Sequence, residues 1–141
     1  MMHIDAPPQW GCVDFISDLH LQASDTATFD AWSRYMHGTQ ADAVFILGDL
    51  FEVWVGDDTA SDPSSFEARC TRIIAEASTR RPVYIMRGNR DFLMGQQWTA
   101  ACGAQLLADP CVLVFAGERW LLTHGDALCL DDLAYQVIGA Q

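Results

Sequence analysis

Short apolar runs that stop abruptly at polar residues set the pattern of this chain. Cys12-Val13-Asp14-Phe15-Ile16-Ser17 leads into Asp18-Leu19-His20, and Ala43-Val44-Phe45-Ile46-Leu47 leads into Gly48-Asp49-Leu50-Phe51-Glu52. Val83-Tyr84-Ile85-Met86-Arg87 leads into Gly88-Asn89-Arg90-Asp91, and Trp120-Leu121-Leu122-Thr123 leads into His124-Gly125-Asp126. Runs this short, rich in β-branched and aromatic residues, predict strands near 12–17, 42–47 and 82–87. A hairpin follows, from Cys111 to Phe115 and from Arg119 to Thr123 about a turn at Ala116-Gly117. Between the strands, one helix is predicted at 25–37, with Asp25 as its cap and Gly38 after its end, and a short one at 96–102 ending at Gly103. Pro63 in a first turn and a Ser64/Glu67 capping box announce a further helix. Phe66, Cys70, Ile73, Ile74 and Ala77 fall on one face of it.

The order β-α-β-α-β-α followed by β-β is an α/β arrangement whose first strands run parallel. The segment 50–60 is irregular and rich in aromatic and acidic residues. His3 is expected in a loose terminus; His37, near a helix end, complements the helix dipole. A helix-like stretch begins near Asp132 and the chain stops at Gln141, with Leu133, Val137 and Ile138 needing something to pack against. The expectation is therefore one domain over residues 1–141, partial and cut short at its C-terminus.

Composition narrows the function. The chain has 8 Lys+Arg against 19 Asp+Glu, a net charge of −11, which disfavours nucleic acid as a partner. Asp18, Asp49, Asp57, Asp58, Asp91, Asp126, Asp131 and Asp132 lie in or beside the motifs, and carboxylates so gathered need cations or raised pKa values. Cys12, Cys70, Cys102, Cys111 and Cys129 form no C-x-x-C pair and lie mostly in apolar runs. They are read as reduced thiols of a cytoplasmic protein. No secretory signal pattern opens the chain, and no apolar run approaches the ~20 residues that span a bilayer.

Asp18 and His20 alternate by two, so on an extended segment their side chains point the same way. Asp49 follows a glycine at the end of a buried run, Asn89 offers a neutral amide oxygen, and His124 a second imidazole. Each alone is ordinary turn chemistry. Four such groups, each directly after a strand, are hard to explain as turns and converge where open α/β sheets place their sites. Oxygen and imidazole donors without thiolate suit Mn²⁺, Mg²⁺, Fe or catalytic Zn²⁺. Two such ions ~3.5–4 Å apart can clamp a phosphoryl group for in-line attack.

The series Asp18-x-His20, Gly48-Asp49, Gly88-Asn89 and His124-Gly125-Asp126 resembles the calcineurin-like metallophosphoesterases, from residue 13 to about 135. The longer strings are more specific. Gly48-Asp49-Leu50-Phe51-Glu52, Trp54-x-Gly56-Asp57-Asp58, Gly88-Asn89-Arg90-Asp91-Phe92-Leu93 and His124-Gly125-Asp126-x-Leu128-Cys129-x-Asp131-Asp132 are similar to a branch acting in lipid A biosynthesis. The resemblance implies a β-sandwich flanked by helices and two Mn²⁺ per site, with Mg²⁺, Fe or Zn²⁺ left open. It implies Asp18, His20 and Asp49 on one metal and Asp49, Asn89 and His124 on the other, with Asp49, Asn89, Arg90 and His124 as the catalytic set. Asn89 and Arg90 would meet the substrate phosphates and Asp132 its glucosamine part. The implied reaction is hydrolysis of the pyrophosphate of UDP-2,3-diacylglucosamine, a lipid-linked nucleotide sugar, by a cytoplasmic protein peripheral to the inner membrane.

Arg90 bears on this independently. Many relatives carry a histidine there to protonate an alkoxide leaving group, whereas a guanidinium does not give up a proton at neutral pH. A phosphate leaving group, with a second pKa of about 6, needs no such acid. The family's late Gly-His-x-His motif and its lipid-binding helical insertion do not follow His124. Two other functions therefore stay open: a metallophosphoesterase of nucleotide pyrophosphates or phosphodiesters, and an inactive chain or non-catalytic partner subunit.

Overall fold

The computed structural model describes residues 1–52, 62–86 and 96–124. In chain order they form β1 (Met2–Asp5), β2 (Val13–Ile16), α1 (Thr26–Gly38), β3 (Ala43–Leu47), α2 (Phe66–Ser78), β4 (Val83–Met86), α3 (Gln96–Cys102), β5 (Gln105–Leu107), β6 (Cys111–Phe115) and β7 (Glu118–Leu122). Strands β2-β3-β4-β5 make an all-parallel sheet, and β1-β6-β7 make a second, mixed sheet.

The continuous apolar run of β3 follows from its place. All five of its residues are buried, because both faces of the parallel sheet are covered. Val44 and Ile46, with Val83 and Ile85 of β4, face Trp32, Met36, Ile74 and Trp98 of the three helices. Ala43, Phe45 and Leu47, with Tyr84 and Met86, face Cys111, Leu113, Phe115 and Leu122 of the second sheet. The result is a helix layer, a parallel sheet and a smaller sheet, which is the expected sandwich with helices on one described flank. Phe45 is the pivot of the inter-sheet core: its ring stacks on Tyr84 at 4.6 Å and on Phe15 at 5.2 Å.

The helices begin where local chemistry dictates. Asp25 caps α1, accepting from the Thr28 amide (3.1 Å) and the Thr28 hydroxyl (2.7 Å). The Thr28 hydroxyl and amide also hold the Asp25 carboxyl below its usual pKa. On α2 the cap is Ser65, whose hydroxyl accepts from the Ala68 amide at 2.9 Å, one residue later than the Ser64/Glu67 box predicts. The reason is Asp62, which accepts from both the amide and the hydroxyl of Ser64 and so takes that side chain out of contention. Pro63 then lies in the preceding turn. His37 sits in the last turn of α1 as expected, and its Nε2 also lies 3.3 Å from Glu76 of α2.

Two strands are absent from the sequence-based reading. β1 occupies the terminus expected to be loose, with His3 opposite Val112 in a parallel ladder. Its four residues give too little pattern on their own, and the partner is supplied by a distant segment. The three residues of β5 extend the parallel sheet from Tyr84↔Gln105 to Met86↔Leu107. The hairpin is where the pattern puts it. Ala116 (φ 54°) and Gly117 (φ 79°) both take the left-handed backbone of a type I′ turn.

Cys70, Cys102 and Cys111 are buried and free, while Cys12 is exposed. Burial pushes the Cys70 thiol up to about 12, and those of Cys102 and Cys111 to about 11. Such thiols carry almost no thiolate at neutral pH. In a mass-spectrometric labelling experiment Cys12 is expected to react with a thiol reagent in the native chain, and Cys70, Cys102 and Cys111 only after denaturation. Phe45→Ala, which empties the centre of the inter-sheet core, is expected to lower unfolding stability by about 3–5 kcal/mol in urea titration.

Candidate metal centre

The parallel register brings several strand ends to one side of the sheet. Ile16 of β2 pairs with Ile46, and Leu47 of β3 with Met86 of β4, so the three strands end on the same side of the sheet. The first two remain paired beyond the strands. The Asp18 amide donates to the Gly48 carbonyl (3.2 Å), His20 to Asp49 (3.0 Å), Leu21 to Leu50 (2.8 Å) and Glu52 back to Leu21 (3.0 Å). A parallel bridge, Leu21↔Phe51, closes this zipper.

Asp18 and His20 do not lie on an extended segment, which corrects the reason given for their convergence. Asp18 (φ 57°), His20 (φ 50°) and Asp49 (φ 52°) all have left-handed backbone. Non-glycine residues rarely occupy this region, and it costs about 1–3 kcal/mol each where it is enforced. The backbone zipper enforces it here. The outcome is that donor atoms of Asp18, His20 and Asp49 lie within 4.8 Å of one another. His20 Nε2 stands 3.7 Å from Asp49 Oδ2 and 4.0 Å from Asp18 Oδ1.

His124 approaches Asp49 from the other side, carried by the end of β7 in the second sheet. Its Nε2 is 3.4 Å from the same Asp49 Oδ2, with both residues buried. Its Nδ1 lies 3.1 Å from the Leu47 carbonyl. A carbonyl can only accept, so Nδ1 carries a proton, and Nε2 is the ring nitrogen that faces Asp49. Gly48 makes this approach possible. At φ 94°, a Cβ there would stand 2.6 Å from His124 Nδ1 and 2.9 Å from Cγ.

One carboxylate oxygen thus lies between two imidazole Nε2 atoms. A carboxylate oxygen held between two ring nitrogens is an arrangement that a shared cation would stabilise. Carboxylate and imidazole donors, without thiolate, fit divalent metal ions of the catalytic kind. Of the residues predicted from sequence, Asp18, His20, Asp49 and His124 are brought together. Asn89, Arg90 and Asp132 lie outside the described residues, as do Asp57, Asp58, Asp91, Asp126 and Asp131. Glu52 received no role from the sequence, yet its Oε2 is 3.1 Å from His20 Nδ1. The signal that could have found it is the parallel pairing of the two loops, which sets Glu52 beside Leu21.

Comparison with known proteins shows the family of the chain. A family model described as calcineurin-like phosphoesterase matches residues 13–137. Proteins named UDP-2,3-diacylglucosamine hydrolase are similar to the chain: one from Stenotrophomonas maltophilia K279a is 44% identical over 129 residues, covering 90% of this chain and 51% of that protein. One from Xanthomonas oryzae pv. oryzae PXO99A is 45% identical over 130 residues, with the same two coverages. One from Chromobacterium violaceum is 48% identical over 132 residues, covering 88% of this chain and 52% of that protein. The chain spans about half the length of the curated relatives it matches. A crystal structure of a protein of unknown function from Aquifex aeolicus shares the fold, with a TM-score of 0.54 at 13% identity over 92% of this chain and 73% of that one.

Gly48→Ala tests the packing on which the site rests. The added methyl group is expected to displace the His124 ring and strain the turn, lowering metal-free stability by about 1–3 kcal/mol. In differential scanning fluorimetry a divalent metal ion is expected to raise the melting temperature of the unsubstituted chain and not that of Gly48→Ala.

Proposed function

This chain belongs to the calcineurin-like phosphoesterase family, and from that premise we propose that it carries the metal centre of a Mn²⁺-dependent hydrolase of UDP-2,3-diacylglucosamine. The reaction would cleave the pyrophosphate to give UMP and 2,3-diacylglucosamine 1-phosphate. The observation that carries the reading is the single Asp49 oxygen set between the Nε2 atoms of His20 and His124. The names of relatives 44–48% identical support the substrate.

Asp18, His20 and Asp49 would hold one ion, and Asp49, Asn89 and His124 the other. Such a pair supplies Lewis acidity towards water and the phosphate oxygens. The protein's own residues do the rest. Asp49 ties both halves of the site to the end of β3. The Leu47 carbonyl keeps the proton of His124 on Nδ1. Arg90 neutralises phosphate charge and donates hydrogen bonds without giving up its proton, which suits a phosphate rather than an alkoxide leaving group. Asn89 meets the phosphates beside it, and Asp132 the glucosamine.

Among the described residues no helix is long and apolar enough to cross a membrane. A diacylated substrate nevertheless resides at a lipid surface, so the proposal includes peripheral contact with the cytoplasmic face of the inner membrane.

The test is UMP release from UDP-2,3-diacylglucosamine in Mn²⁺, followed by chromatography. Asp49→Ala is expected to lower the rate by more than about 100-fold. Release as fast from UDP-glucosamine lacking acyl chains would shift the substrate class to soluble nucleotide pyrophosphates. Absence of UMP from a chain that still binds Mn²⁺ would overturn the activity and leave a metal-binding portion of the longer relatives.

A further inference from the structure

His20 faces a conflict that the metal reading alone leaves unresolved. Its Nε2 looks at two carboxylates, Asp49 at 3.7 Å and Asp18 at 4.0 Å. Neither is within hydrogen-bond distance, but their negative charge favours a neutral ring with its proton on Nε2. A ring protonated there has no lone pair on the side of Asp18 and Asp49 and cannot serve as a ligand on that side. On the opposite side of the ring, Glu52 Oε2 lies 3.1 Å from Nδ1, closer than either competitor.

We propose that Glu52 is a positioning residue for the metal centre: it takes the hydrogen bond of His20 Nδ1–H and so holds the Nε2 lone pair towards Asp18 and Asp49. The inference rests on the metal reading above and adds a residue to it. The placement of Glu52 is built into the backbone. Its amide donates to the Leu21 carbonyl at 3.0 Å, and the neighbouring Leu21↔Phe51 bridge fixes the register. The carboxylate therefore arrives beside the ring from a partner segment that also carries Asp49. His124 reaches the same tautomer by another route, through the Leu47 carbonyl. One ring is thus set by the main chain and the other by a side chain. Partners of this kind typically change metal affinity by about 10–100-fold when removed.

Glu52 also lines a cavity of about 240 Å³ with Leu21, Phe51 and Phe66, so shortening it does not open a hole in a packed core. The test compares the unsubstituted chain with Glu52→Gln and Glu52→Ala. The His20 tautomer is read in the metal-free protein by long-range proton–nitrogen NMR, at a pH well above the ordinary imidazole pKa of ~6.5. Mn²⁺ affinity is read by calorimetry. Nδ1–H is expected in the unsubstituted chain and in Glu52→Gln, whose amide oxygen still accepts. Glu52→Ala is expected to move the proton to Nε2 and weaken Mn²⁺ binding by about 10–100-fold. An unchanged tautomer in Glu52→Ala, or an unchanged Mn²⁺ affinity despite a changed tautomer, would overturn the proposal. A tautomer that depends on Glu52 in a chain that takes up no Mn²⁺ would support the positioning of the ring and sink the metal reading instead.

Discussion

The two halves of the site meet where the His124 ring packs against the bare Cα of Gly48. The two residues follow strands of different sheets: Gly48 comes directly after β3, and His124 shortly after β7. The ring comes so close that a methyl group would stand 2.6 Å from Nδ1, and it hydrogen-bonds the carbonyl of the residue just before the glycine. Sheet packing is therefore what sets the separation between the two imidazoles. The buried stack of Phe15, Phe45 and Tyr84 between the sheets is remote from the chemistry in sequence terms, yet it fixes the distance at which the second sheet delivers its histidine.

Much of this could be seen in the chain itself, and the reasons are specific. β3 and β4 are legible because strands buried on both faces are uninterrupted apolar runs, and the donors stand out because each follows within a few residues of a strand-forming run. The hairpin is legible because Ala116-Gly117 is turn chemistry flanked by apolar residues. β1 was not, since a four-residue strand with alternate burial has no identity until β6 is placed beside it. The α2 cap slipped by one residue because Ser64 and Ser65 are equivalent on paper, and only the carboxylate of Asp62 distinguishes them. Asp18 and His20 were rightly paired for the wrong reason: period-two alternation belongs to an extended strand, and the backbone there is left-handed. Glu52 shows the limit most clearly. Its role is a cross-loop contact, and nothing in the spacing of one segment reports what the neighbouring segment will set against it.

The electrostatics of the chain and of the site are of one kind. A net charge of −11 gives the surface no attraction for polyanions, yet the proposed substrate is itself a phosphate ester. Long-range steering is then of no help, and under the proposed reading recognition is local, through a metal ion at Asp18, His20, Asp49 and His124 and through Arg90. This separates the chain from proteins that gather phosphate ligands with a broad basic face.

The left-handed backbone at Asp18, His20 and Asp49 has an evolutionary consequence. At each of these positions glycine would relieve conformational strain, so a population selected only for thermal tolerance would drift towards glycine there and lose its ligands first. Two aspartates and a histidine in such conformations cost this chain strain that glycine would not carry. The same three positions would be among the first to decay in a gene copy released from selection for chemistry, well before the apolar strands that carry them.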